Sequence, residues 1–100
     1  MASADRLERL YDLVNGFDMT WSLAEEVYVT TNSEVSSTPW TTDDAKSDWK
    51  LLESWVTAAT GDNRTNPGPE HLNNVKEAAK NILRRLLGRR QGLSGDALAP

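Results

Sequence analysis

Three carboxylates, Asp43, Asp44 and Asp48, and a second pair, Glu25 and Glu26, are the groupings in this chain that could support acid–base chemistry or hold a cation. Each has a plainer reading. Asp43 and Asp44 follow Thr42 at the expected start of a helix, where carboxylates suit the positive dipole end, and Glu25 and Glu26 suit a solvated surface. A hard cation needs more oxygen ligands on a dedicated loop, and Asp62-Asn63-Arg64 does not follow that pattern. His71 is the only histidine, which gives no support to a histidine metal cluster, and a single imidazole near a helix start is more often a surface residue than the general base of a Ser-His-Asp triad. The chain has no phosphate-binding glycine loop and no nucleophile elbow. Asn63-Arg64-Thr65 matches the glycosylation triplet, but the opening Met-Ala-Ser-Ala-Asp-Arg does not read as a secretion signal. With no cysteine, thiolate and disulfide chemistry is excluded. These residues lead us to expect a non-enzymatic protein with no cofactor and no metal, placed by default in the cytoplasm.

The charge layout is more distinctive. Residues 1–62 carry twelve Asp/Glu against four Lys/Arg, whereas residues 63–100 carry seven Lys/Arg against three Asp/Glu. Most of the second set falls on one stretch: Lys76, Lys80, Arg84, Arg85, Arg89 and Arg90. Such a basic face could meet nucleic acid, whose phosphates it would neutralise, with affinity falling steeply with salt. The same side chains could instead lay their stems along the edge of a core and reach water with their heads, or neutralise the acidic half of the chain. The second arrangement is the expected one. A membrane-surface role ranks lower because the apolar face carries no interfacial aromatic, and no run of apolar residues approaches the ~18 needed for a membrane span.

A helix must position these bases. At 100° per residue, Leu72, Val75, Ala79, Ile82, Leu83, Leu86 and Leu87 fall in one arc of about 140°. Pro69 suits the first helical position and Gly88 the stop, because a helix continuing to Arg90 would return a charge to the middle of the arc. A second strong helix spans about 43–60, with Ala45, Trp49, Leu52, Trp55, Val56 and Ala59 as its apolar arc and Gly61 as its end. The turn-rich connector 61–68 allows the two to pack antiparallel as a central hairpin, 43–60 against 69–88. Asp48 interrupts one arc and Lys76 the other, so Asp48 is expected to meet Lys76 or Lys80. Residues 4–15 form a first helix with Leu7, Leu10, Tyr11 and Val14 inward, Ser3 as cap and Phe17 packing back. Leu13 falls off that stripe.

Residues 20–31 are ambiguous. Ser22 and Glu25 fit a capping box that favours a helix fraying near Thr30, whereas Val27-Tyr28-Val29-Thr30-Thr31 favours strand, and a short β-hairpin near 26–36 is the alternative. The expected architecture is an all-α bundle of three or four helices forming a single domain over 1–90, followed by a flexible tail over 91–100. The expected function is stoichiometric binding to a protein partner, as adaptor, inhibitor or assembly component. Leu13, Trp21 and Trp40 are the candidate contacts, since large side chains dominate interface energetics. Self-association would cover any apolar surface an incomplete bundle leaves open. Nucleic-acid binding through the basic helix is the alternative.

Overall fold

Hydroxyl side chains open three of the helices. Ser3 Oγ accepts from Arg6 N at 3.2 Å to start α1 (Ala4–Gly16), and Thr20 Oγ1 accepts from Leu23 N at 3.1 Å to start α2 (Trp21–Ser37). Thr42 Oγ1 accepts from Ala45 N at 3.3 Å to start α3 (Asp43–Ala58). Each satisfies an amide that the helix itself leaves unpaired. The fourth, α4 (Pro69–Arg90), opens on proline, whose missing N–H costs nothing there. The computed structural model describes residues 2–58, 69–93 and 95–99. Among them the fold is all-helical, with no strand.

Three expectations are corrected. The β-hairpin near 26–36 is absent, because α2 runs unbroken to Ser37. Ala24, Val27, Thr31, Glu34 and Val35 recur at helical spacing and are all buried, and this packing overrides the strand preference of the β-branched run. Thr31 buries its hydroxyl by donating to Val27 O at 2.7 Å, one turn back. The cap is Thr20 rather than Ser22. Gly88 does not end α4. The helix continues to Arg90 and closes at Gly92, where φ is +79°, with Gly92 N donating to Arg89 O and Leu93 N to Gly88 O. That paired pattern needs a left-handed residue, which glycine supplies without strain. The expected end of α3 at Gly61, Ala59 in its arc, and the connector 61–68 lie outside the described residues.

Contacts along the helices set their directions. Asp48, early in α3, meets Arg85, late in α4, so these two run antiparallel. Arg90 reaches Ala2 O before α1, and Lys76 reaches Phe17 O after it, so α1 is also antiparallel to α4. Trp21 and Tyr28 of α2 meet Val56 and Glu53 of α3 in reverse order. The result is an up-down-up-down bundle in which α4 packs most extensively on α1 and α3 and less on α2. Leu7 and Val14, Ala24 and Val27, Ala45 and Leu52, and Ile82, Leu83 and Leu86 are fully buried along the common core. Phe17 does not pack back onto this cluster and remains 64% exposed. No helix among the described residues is long and apolar enough to cross a membrane.

Candidate functional site

The first turns of α1 and α3 and the last turns of α2 and α4 meet at one end of the bundle, and Arg84, Arg89 and Arg90 of α4 are engaged there. Arg90 donates to both carboxylate oxygens of Glu34, at 2.8 and 2.5 Å, and to Ala2 O at 2.7 Å. Glu34 is 4% exposed. A buried carboxylate requires such a partner, and the two-point geometry suits a guanidinium better than a lysine. These hydrogen bonds raise the Arg90 pKa above its already high value, against the opposing effect of burial. Arg89 lies over the Trp40 ring at 4.6 Å and donates to Thr38 O at 3.1 Å, with Asp96 3.5 Å away. Trp40 is buried, so it serves as the anchor of the loop after α2 and is not a bare contact ring.

Residues 91–93 and 95–99, whose composition suggests a flexible tail, fold back over this end. Asp96 Oδ2 accepts from Thr41 N and Thr42 N, both at 2.9 Å, and from their hydroxyls at 3.3 and 3.0 Å. It thereby sits on the N-terminus of α3, where the helix dipole favours an anion. Burial pushes the Asp96 carboxyl up, but the hydrogen bonds from Thr42 and Thr41 outweigh it and hold the pKa below the ordinary 3.8. Ala99 is buried, and its carbonyl accepts from Arg84 Nε and Nη2 at 3.1 and 2.9 Å.

The remaining bases are also engaged. Arg85 is 6% exposed and meets Asp48 at 2.6 Å, while Lys80 lies 3.5 Å from Glu77 and Lys76 donates to Phe17 O. The expected Asp48 pair with Lys76 or Lys80 is therefore corrected to Arg85. A helical projection gives the angle of a residue but not its height, and antiparallel packing puts the start of α3 beside the end of α4. Leu13 is 39% exposed, whereas Trp21 is half-buried with Nε1 donating to Val56 O at 3.4 Å. Leu13, Trp21 and Trp40 do not form one patch: Trp21 joins the start of α2 to α3, and Trp40 lies at the Arg89 end.

Asp43 and Asp44 are exposed in the first turn of α3, and Glu26 pairs with Arg6 at 2.8 Å. Tyr28 donates to Glu53 at 3.0 Å and stacks on Trp49 with ring centres 5.2 Å apart; burial first, and Glu53 second, raise its pKa. Among the described residues, no group of three or more His, Asp or Glu side chains is placed to hold a metal ion.

No family model, curated protein or solved structure matches this chain.

Glu34, Asp96 and Ala99 were not singled out from sequence. For Glu34 a signal existed. Glu34 falls at helical spacing with Val27, Thr31 and Val35, and Arg90 returns to the apolar arc of the last helix, where a lone charge would be costly. Considered together they form a pair. Asp96 gives no such signal, because its partners lie 54 and 55 residues away and its neighbours are ordinary for a tail.

Proposed function

We propose that this protein acts without catalysis, by stoichiometric binding to a protein partner whose contact surface is basic. The observation that supports this reading is the disposition of charge. Among the described residues nine acidic side chains are exposed against four basic ones, because α4 turns its cations toward Glu34, Asp48, Asp96 and backbone carbonyls. Asp5, Glu8 and Asp12 recur on the outer side of α1, and the exposed Leu13 on the same helix and Phe17 just beyond it add apolar area. Electrostatic complementarity of this kind steers encounter and selects among partners. The adaptor, inhibitor and assembly-component roles all remain within this reading, and so does a cytoplasmic setting.

Nucleic-acid binding by α4 is the competing proposal. It requires phosphates to displace carboxylates and carbonyls already bonded to Arg84, Arg85, Arg89 and Arg90. Capture from host lysate, with and without nuclease, separates the two. The expected result is a protein partner that persists after nuclease and is weakened at least ten-fold when Asp5, Glu8 and Asp12 are replaced by Lys. Nucleic acid recovered instead, and lost on replacing Lys80, Arg84 and Arg85 with Glu, would reverse the order of the two proposals.

A further inference from the structure

Residues 95–99 lie against the bundle, turning at Gly95 and Asp96 before Ala97, Leu98 and Ala99 run on, and each contact they make reads a different feature. The Asp96 side chain is only 2% exposed, held by two backbone amides and two hydroxyls at the start of α3 and flanked by Arg89. Ala97 crosses α4 at Gly88, where a Cβ would stand 2.5 Å from the Ala97 carbonyl oxygen. Leu98 stays 38% exposed, while Ala99 is 4% exposed. Ala99 N donates to Arg84 O at 3.0 Å, and Ala99 O receives the Arg84 guanidinium. Beyond this point a groove of about 450 Å³ continues between α1 and α4, lined by Glu8, Tyr11, Arg84, Leu87, Gln91 and Ala99.

From this arrangement we infer that the surface formed by the start of α3 and the last turns of α4 is a docking site for a short segment of another protein that turns at its Asp as residues 95–99 do. The segment it fits has an Asp followed three residues later by a small side chain, and the chain's own 95–99 is the competing occupant. The cradle recognises features that any such segment carries: a carboxylate, a backbone carbonyl passing over a glycine, and a backbone N–H and C=O read together. Reading backbone and spaced side chains at once is a recurring mode of peptide recognition. The tether presents the internal segment at an effective concentration on the order of millimolar, so an incoming segment must extend into the adjoining groove or meet a loosened strap to compete. This inference rests on the protein-binding reading for the nature of the partner. Its test reads the cradle alone and leaves the acidic face of α1 untouched, so either can fail without the other.

The test uses the full chain carrying Asp96→Arg, which sets a cation against Arg89 and the positive end of α3 and so unseats the strap. A labelled peptide of this chain's own residues 93–99 (Leu-Ser-Gly-Asp-Ala-Leu-Ala) is titrated by fluorescence anisotropy. The expected result is saturable binding to the Asp96→Arg chain, at least ten-fold weaker binding to the wild type, and loss of binding when the peptide Asp is replaced by Lys. Adding Gly88→Ala to the Asp96→Arg chain should abolish binding, because the new methyl occupies the path of the peptide carbonyl. Should Asp96→Arg lose its helical circular dichroism, the wild-type chain is read instead by displacement of the Ala99 amide resonance at millimolar peptide. An intact Asp96→Arg bundle that ignores the peptide, binding indifferent to Gly88→Ala, or an unmoved Ala99 amide would overturn the inference.

Discussion

The two ends of this bundle are built on different principles. At the end where α4 finishes, Glu34, Asp96, Arg89 and Arg90 interlock with backbone carbonyls and amides, and the exposure of the four side chains runs from 2% to 22%. At the opposite end, Lys76 bonds Phe17 O at an exposed position, Trp21 bonds Val56 O at 3.4 Å, and Phe17 stands largely in water. Burial makes each polar contact of the first end consequential, because losing one partner strands the other away from solvent. The second end loses little when a contact goes, because water replaces it. The chain carries its specificity at one end and its tolerance at the other.

That contrast can be broken most severely at Glu34. Replacing it with Ala leaves Arg90 without its two-point partner and is expected to cost about 3 kcal/mol in denaturant unfolding, against ~0–1 kcal/mol for removing the exposed Arg6–Glu26 pair. Equal costs would show that burial does not separate the two. Asp96→Ala should cost about 1–2 kcal/mol, the scale of a lost helix cap, with amide exchange quickening at Thr41 and Thr42 while α1 is unaffected.

The same carboxyl predicts a pH dependence. Its folded pKa lies below the ordinary value, so its stabilisation is fully present above that value and is lost as pH falls through the lower folded one. The stability gap between wild type and Asp96→Asn should therefore be constant near neutrality and close in acid. A gap unchanged at low pH would mean the charge is not what holds the strap. At the other end, Lys76→Met should cost about 0.5 kcal/mol and Phe17→Ser should stay within about 0.5 kcal/mol of wild type. Chemical denaturation of both variants beside Glu34→Ala completes the comparison.

The difference between the ends also explains what could be read from sequence. The helices α1, α3 and α4 were legible because their apolar arcs are wide and their starts carry local signals in Ser3, Thr42 and Pro69. The second half of α2 was not, since Val27 to Thr31 prefers strand locally and only burial against the other helices decides otherwise. Gly88 misled because a glycine inside a helix usually marks its end, whereas here it makes room for Ala97. Lys76, Lys80, Arg84 and Arg85 were expected on this helix and Arg89 and Arg90 beyond its end, and the destinations of all six depend on helix directions that no projection contains. Long-range pairs such as Arg90 with Glu34, or Asp96 with Thr42, become visible only when all four helices are in place.

The dominance of α4 in the packing carries a consequence for how the chain comes into being. Translation delivers α1 first and α4 last, yet α4 is the principal partner of α1. At ~5–20 residues per second, Leu7, Leu10 and Val14 emerge roughly 4–15 s before the helix that covers them. In that interval α2 and α3 have only each other and α1 to pack against, and a nascent α1 lacks the partner that covers most of its apolar stripe. Each molecule must be synthesised through Arg90 before its first helix has a place to settle.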